Sequence, residues 1–566
     1  MLTTDKAACN ILADLLEAHG VKWAVVSPGT RNAPVIVALE RRSALRCVTV
    51  IDERVAAFTA LGIGVQTGAP VALVCTSGSA LLNYAPAVAE AYYRKVPLIV
   101  VSADRPARWI GQDDSQTIRQ PGALAFGVKL TCDIPCGIEG DSEELWHVNR
   151  MLNDALLTAL SGRRAPVHIN LQLDAPLNHD RADYPAGSAR VINAVTPRED
   201  LPVAEARELG CRLASPRRVL IVAGFSAPDA RLNRALGRLA ELPNVAVVTE
   251  PMANLHGPPF IGRMDAVMSG MSREEQDVLR PDVLITTGGA LVSGSLKAWL
   301  RRVTPLEHWH VGLTDTTIDC FRQLTLRVEM TPGIFFQQLA SAMQPHRAEC
   351  DYAAAWQHAV SKGLASHDAY VAAAPWSDLK AFATIIPAIP ARWNLQLSNG
   401  MSVRYAQLMD CSRIHRVDCN RGVSGIDGCT STATGAALAY TDAPTLLITG
   451  DMSAQYDLGA LFAAHVPPRF RMIVMANGGG EIFRVISATS KLPELDEHLA
   501  CKVTVPWPNI AEGLGWDYAE AEDEASLAAA LPRFMTSDSD RPALLVINTS
   551  GEADATILRN YYSRTK

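Results

Sequence analysis

Residues 446–483 read LLITGDMSAQYDLGALFAAHVPPRFRMIVMANGGGEIF, and this stretch decides the fold. One apolar run ends in Gly450-Asp451, and a second ends in Asn477-Gly478-Gly479-Gly480. Two buried strands of a parallel sheet, joined by a crossover helix, have this pattern. Both polar clusters then fall at the carboxyl ends of strands, where open α/β sheets take their ligands. Asp451 offers a carboxylate, Asn477 an amide oxygen, and the glycines let backbone come close to a ligand. Hard oxygen donors completed by ligand phosphates are how proteins hold Mg²⁺, so the stretch predicts a magnesium-diphosphate site. Turn chemistry alone also puts Asp and Asn after strands, and on the residues the two readings stand level.

The same alternation extends outward in both directions. Upstream, a helix over Ala7–His19 stops at Gly20, and a strand over Val21–Val26 breaks into Ser27-Pro28-Gly29-Thr30-Arg31. Cys47–Ile51 is a strand delivering Asp52-Glu53-Arg54 to a helix over Val55–Val65, and Val71–Cys75 is a strand opening a helix that runs to Tyr93. Leu98–Ser102 ends in Ala103-Asp104-Arg105-Pro106, a polar loop carries Gln116, and Pro166–Leu173 is a further strand. Strands alternating with helices, without hairpin signals, predict a doubly wound parallel sheet. The Pro-, Asp- and Asn-rich text from Asp174 to Pro202 reads as a surface linker. A second α/β unit follows, with strands at Arg218–Val222, Val245–Thr249, Val283–Thr287 and His308–Val311. Its Gly224 and Gly288-Gly289 read as tight turns more simply than as nucleotide-binding turns, and are where an effector would be sought. The third unit has strands at Asn394–Asn399, Arg416–Asp418 and Ala543–Asn548, and a small-residue helix at Thr430–Ala439. The expected architecture is three domains, residues 1–185, 200–350 and 370–566, each a largely parallel sheet flanked by helices.

Length and composition agree with a multi-domain globular enzyme. A chain of 566 residues exceeds one core, and 48% apolar with 20% charged residues is ordinary for a globular protein. A net charge of -7 gives no electrostatic reason for nucleic acid. Twelve scattered cysteines without paired C-x-x-C spacing read as reduced thiols. No basic-apolar leader and no uncharged apolar run of about 18 residues appears, so no membrane role and a cytoplasmic location are expected.

Glu53 follows a strand and opens a helix, where an acid also simply suits the helix dipole. Arg31, Arg105, Arg404 and Arg421 each sit beside a Gly-, Pro- or Asn-rich turn. Guanidinium groups hold carboxylates bidentately, so such a set suits a polyanionic organic acid.

An acid after an early strand, a GD…N element in a late domain and a three-domain layout resemble the thiamine diphosphate enzymes. More closely, Ser27–Pro34, Asp52–Arg54, Cys75–Ser79, Ala103–Pro106, Gln116–Ile118, Ser398–Arg404, Asn420–Gly428 and Gly450–Leu458 resemble the 2-succinyl-5-enolpyruvyl-6-hydroxy-3-cyclohexene-1-carboxylate synthase family of menaquinone biosynthesis. The match is dense in the first and third units, and in the middle unit it is mainly one of layout.

The resemblance implies a pyrimidine-binding first domain, a diphosphate-binding third domain, and a homodimer or homotetramer with sites at subunit interfaces. It implies thiamine diphosphate with Mg²⁺, or Mn²⁺ in its place, and the substrates 2-oxoglutarate and isochorismate. 2-Oxoglutarate would be decarboxylated and the succinyl carbanion equivalent added in 1,4 fashion to isochorismate. Glu53 is then the cofactor-activating acid, whose charged form burial would disfavour, and Arg31 and Gln116 join it in the chemistry. Ile426 holds the cofactor bent, and Gly450, Asp451, Ser453, Asn477 and Gly479 bind its diphosphate. Asp451, Asn477 and the Gly479 carbonyl are the metal ligands, and Thr30, Arg31, Arg105, Gln116, Arg404 and Arg421 contact substrate. Departures from the family pattern are Met452, Ala476-Asn477-Gly478, Gly400 with Ser402 nearby, and Ser295-Leu296 before Lys297. An acetolactate-synthase-like enzyme, a 2-oxoacid decarboxylase and a non-catalytic cofactor-binding protein are the alternatives; four turn arginines speak against the small apolar acyl groups of the first two.

Overall fold

The computed structural model describes residues 2–177, 180–181, 184–185, 187–195, 197, 199–214, 216–343, 350–463, 465–536 and 540–564. Parts of the linker at 174–202 (178–179, 182–183, 186, 196 and 198) lie outside them. The described residues form three six-stranded sheets and one antiparallel pair, Thr3–Thr4 with Asp180–Arg181. The first runs, edge to edge, Arg46–Thr49, Trp23–Val26, Val71–Cys75, Leu98–Asp104, Val167–Gln172, Thr131–Ile134, all parallel. The third runs Arg416–Cys419, Asn394–Leu397, Thr445–Gly450, Phe470–Ala476, Ala543–Asn548, Asp517–Ala521. Counted within each sheet, both have the order 2-1-3-4-6-5. The middle sheet instead has the order 3-2-1-4-5-6: Phe260–Ile261, Val245–Thr249, Val219–Ala223, Val283–Thr287, Glu307–Val311, Leu326–Val328.

Strand order locates the crevices. In the first sheet the connections reverse between Trp23–Val26 and Val71–Cys75, and in the third between Asn394–Leu397 and Thr445–Gly450. Such switch points open a crevice at the carboxyl ends of the strands. They fall on Ser27–Arg31 with Thr76–Ser79, and on Ser398–Gly400 with Asp451. The middle sheet reverses between the strands ending in Gly224 and Gly288-Gly289, and there the crevice is closed by backbone. A Cβ on Gly224 would lie 1.9 Å from the Gly289 carbonyl oxygen, and Gly289 N–H donates to Phe225 O at 2.9 Å. These glycines are required by close approach of two strand ends, which is the tight-turn reading.

The chain divides into two compact units. One comprises Met1–Thr196, Asn420–Asp442 and Tyr456–Phe470; the other comprises Pro197–Cys419, Ala443–Gln455 and Arg471–Lys566. The first unit has an apolar core on each face of its sheet. In it the Glu53–Thr67 helix crosses the Cys429–Ala439 helix with almost no side chain between them. A Cβ on Gly62 would lie 2.0 Å from Thr432 O, and one on Gly435 would lie 2.1 Å from Thr59 O. Gly62→Ala must push the helices apart, which in a packed core costs about 1–3 kcal/mol. A lowered thermal midpoint is the expected result; an unchanged midpoint would contradict this packing.

The helix expected to run unbroken to Tyr93 is two, Ser79–Asn83 and Ala85–Arg94. Pro86 lacks the N–H that a continuous helix would use, and Tyr84 turns fully into the core at the break. Among the described residues no helix is long and apolar enough to cross a membrane, and all twelve cysteines are free.

Candidate active site

The two strand ends that opened the sequence reading meet in the second unit. Thr445–Gly450 and Phe470–Ala476 are neighbours in the third sheet, so Asp451 and Asn477 leave it side by side. The link between them is a short helix, Asp451–Tyr456, and a 3₁₀ turn, Leu458–Phe462, rather than a full crossover helix. Asp451 is 2% exposed. Its Oδ1 accepts Met452 N–H at 2.7 Å and its Oδ2 accepts Gly478 N–H at 2.9 Å. Gly478 at φ 88° and Gly479 at φ 143° adopt backbone that a side chain resists. At Gly479 a Cβ would also strike Ala500 O at 2.3 Å. Gly450 N–H donates to Ser398 Oγ at 3.3 Å, tying the Asp451 strand to the neighbouring switch-point strand. Ser453 is buried on the Asp451–Tyr456 helix.

Burial pushes the Asp451 carboxyl up to about 7, with the nearby Asp378 charge adding to the rise and the N–H groups of Gly478, Met452 and Gly479 opposing it. No cation pairs with it among the described residues. Asn477 Oδ1 is likewise buried without a donor. A buried carboxylate without a cation and an amide oxygen without a donor fit a divalent metal. Among the described residues no group of three or more His, Cys, Asp or Glu forms a metal centre. The cation reading therefore rests on one carboxylate with neutral oxygens.

The pH dependence follows from the sign of the shift. The folded value lies above the ordinary 3.8, so the cofactor-free fold holds a proton that the unfolded chain has lost. Its contribution to stability is present on the acid side and vanishes as pH rises through about 7. Metal binding must expel that proton, so Mg²⁺ affinity should fall by about tenfold per pH unit below the transition and level off above it. Calorimetry at pH 6 and pH 8 checks this; equal affinity at both would contradict it.

Behind Asn477 stands a polar cluster that sequence reading missed. Asn477 Nδ2 donates to Asp378 Oδ2 at 3.0 Å and to Glu481 Oε2 at 3.1 Å. Asp378 opens the Asp378–Ala388 helix, which Ser377 caps. Burial raises Asp378, Glu481 and Asp554 above the ordinary carboxylate range; the charges of Asp378 and Asp554 raise Glu481 further, and that of Asp378 raises Asp554. Glu481 lies four residues past Asn477 and was legible as a neighbour. Asp378 and Asp554 carried no motif.

The first unit holds the other expected residues. Glu53 begins its helix, with Asp52 as the N-cap accepting from Val55 N–H at 3.2 Å. It is half-buried, where burial was expected, and Ile51 two residues before it is exposed. Arg54, beside Glu53, donates to Asp427 O at 2.6 Å, beside the half-buried Ile426. Glu53 and Ile426 thus sit on segments tied together. Glu90, 1% exposed, accepts the N–H groups of Gly422 at 2.7 Å and Val423 at 2.6 Å and so holds the loop that carries the buried Arg421.

Arg31 and Arg105 follow Trp23–Val26 and Leu98–Asp104, two strands of the first sheet with Val71–Cys75 between them. Burial and then the Arg105 charge lower the Arg31 guanidinium below its ordinary value. Arg31 Nη1 donates to Leu173 O at 2.7 Å, and Arg105 pairs with Asp114 at 2.6 Å. Gln116 (φ 59°) donates to Ser77 O at 3.3 Å, beneath the Gly78 turn, and Thr30 is exposed beside Arg31. A buried network missed in the sequence braces this edge: Gln120 accepts Gly78 N–H at 2.8 Å and donates to Asn170 Oδ1 at 2.7 Å, and Asn170 donates to Asp104 Oδ2 at 3.0 Å. Arg404 lies in the second unit and bonds back to Gly400 O.

Known proteins add the rest. The thiamine pyrophosphate enzyme N-terminal TPP-binding domain matches residues 7–123. A 2-succinyl-5-enolpyruvyl-6-hydroxy-3-cyclohexene-1-carboxylate synthase of Porphyromonas gingivalis is 40% identical over 99% of this chain and 97% of its own length. The protein of that name from Bacteroides fragilis is 36% identical over 100% of both chains. That of Desulfotalea psychrophila is 37% identical over 88% of this chain and 91% of its own. Likeness along the whole length, on a fold whose switch points carry the cofactor-type residues, means that the chain belongs to the 2-succinyl-5-enolpyruvyl-6-hydroxy-3-cyclohexene-1-carboxylate synthase family of thiamine diphosphate enzymes.

Proposed function

We propose that the protein joins 2-oxoglutarate to isochorismate in menaquinone biosynthesis, releasing CO₂ and forming 2-succinyl-5-enolpyruvyl-6-hydroxy-3-cyclohexene-1-carboxylate. The full-length likeness to enzymes of that name carries this reading. The first, middle and third sheets serve as pyrimidine-binding, central and diphosphate-binding domains, with bounds near 1–185, 200–350 and 370–566. Thiamine diphosphate supplies, when bound, the carbon centre that stabilises negative charge left by decarboxylation. Asp451, Asn477 Oδ1 and the Gly479 carbonyl hold Mg²⁺, or Mn²⁺, and Gly450 and Ser453 line the diphosphate. Glu53 would hold a proton toward the cofactor's aminopyrimidine ring, and Ile426 would pack against the bound cofactor.

Arg31, Arg105, Arg404 and Arg421 receive substrate carboxylates, and Thr30 and Gln116 contact substrate with them. Each charged hydrogen bond is worth about 2 kcal/mol, so Arg31→Ala or Arg105→Ala should raise KM by tens-fold. Steady-state kinetics check this, and unaltered KM values for both substrates would remove that arginine from recognition. A homodimer or homotetramer with sites at subunit interfaces accompanies this reading, as does a cytoplasmic location. The test is isochorismate consumption with thiamine diphosphate and Mg²⁺. Consumption should require 2-oxoglutarate, and pyruvate should not replace it. Turnover of pyruvate alone would favour the acetolactate-synthase-like or decarboxylase reading, and no CO₂ release from 2-oxoglutarate would favour a non-catalytic protein.

A further inference from the structure

The amide of Asn477 is held from behind on every hydrogen it has. Its two Nδ2 hydrogens serve two carboxylates, Asp378 Oδ2 at 3.0 Å and Glu481 Oε2 at 3.1 Å. Each carboxylate is pinned at its other oxygen by a hydroxyl. Thr549 Oγ1 donates to Asp378 Oδ1 at 2.6 Å, and Tyr405 OH donates to Glu481 Oε1 at 2.6 Å. The Asp378 backbone N–H is fixed in turn by Asp554 Oδ1 at 2.9 Å. Asp378 is 1% exposed, Glu481 3% and Tyr405 1%.

In the orientation the structure has, Nδ2 serves both acids. In that orientation Oδ1 faces away from the clamp, buried and without a donor. We infer that Asp378 and Glu481 are positioning residues that aim the Asn477 amide oxygen at a divalent cation. The inference rests on the cation reading of Asp451 and Asn477 and extends it to two acids from outside the strand ends. Asp378 precedes Asn477 by 99 residues, so a separate helix fixes the ligand's direction.

Mn²⁺ is the probe, with thiamine diphosphate saturating and the unbound ion counted by its electron paramagnetic resonance signal. Asp378→Ala should weaken Mn²⁺ binding by about 10–100-fold, the usual effect of losing a residue that orients a metal ligand. Glu481→Gln, which keeps an acceptor, should bind Mn²⁺ nearly as the native protein does. In an Asn477→Ala background Asp378→Ala should add nothing, because its effect runs through that amide. An additive effect there, or unaltered Mn²⁺ affinity in Asp378→Ala while Asn477→Ala weakens it, overturns the inference and leaves the cation reading standing. Unaltered affinity in Asn477→Ala overturns the cation reading itself. Should Asp378→Ala fail to fold, Glu481→Ala enters the same comparison with the same two outcomes.

Discussion

Asp451→Ala protein, passed through gel filtration with Mg²⁺ and thiamine diphosphate, should emerge without cofactor and with turnover below about one hundredth of the native rate. The side chain is the one carboxylate proposed for the cation, and the cation is what a diphosphate needs in a pocket whose other donors are neutral. The backbone N–H groups of Met452 and Gly478 donate to this carboxylate. Removing it leaves them without an acceptor, so the Gly478-Gly479 turn loses its anchor along with the metal. Thiamine diphosphate content of the eluted protein, read by fluorescence after oxidation, checks the outcome. Full cofactor content would remove Asp451 from the diphosphate grip.

Glu53→Gln should behave differently. It keeps the shape at the start of the Glu53–Thr67 helix and the Asp52 cap that holds it, so folding and cofactor content should match the native protein. What it removes is the acid, and general acid-base help is worth about 10²–10⁴-fold, so kcat should fall by about a hundredfold or more. Loss of turnover with retained cofactor separates activation from anchoring. Native turnover in this variant would take Glu53 out of the mechanism.

The parts of the fold that were legible are those where burial left no choice of residue. Val71–Cys75, Val245–Thr249, Val283–Thr287 and Ala543–Asn548 have the bounds read from their apolar runs, because both faces of a central parallel strand are covered. In the three large sheets the strands that escaped reading are at the edges: Thr131–Ile134, Phe260–Ile261, Leu326–Val328 and Asp517–Ala521. Thr131–Ile134, Leu326–Val328 and Asp517–Ala521 carry Asp, Arg or Glu, which breaks the apolar signal, and Phe260–Ile261 and Leu326–Val328 are three residues or fewer. The Ser142–Leu160 helix also went unread, although Asp141 caps it and acids fill its first turn.

At the site the same contrast holds. Asp451 and Asn477 announce themselves by following strands, and Glu53 by opening a helix. Asp378 reaches Asn477 across 99 residues, Asp554 reaches Asp378 across 176 and Tyr405 reaches Glu481 across 76, which no local pattern encodes. The arginines were legible as residues at turns, but only the sheet order shows that Arg31 and Arg105 follow strands on either side of Val71–Cys75.

The central claim is that the Gly450-Asp451 and Asn477–Gly479 strand ends grip a cofactor diphosphate through a divalent cation. Titrating thiamine diphosphate into the native protein by calorimetry, once with Mg²⁺ and once with a chelator in excess, tests it most directly. The account predicts saturable binding with Mg²⁺ and a loss of at least about tenfold in affinity with the chelator. Binding of equal strength in both titrations would contradict it.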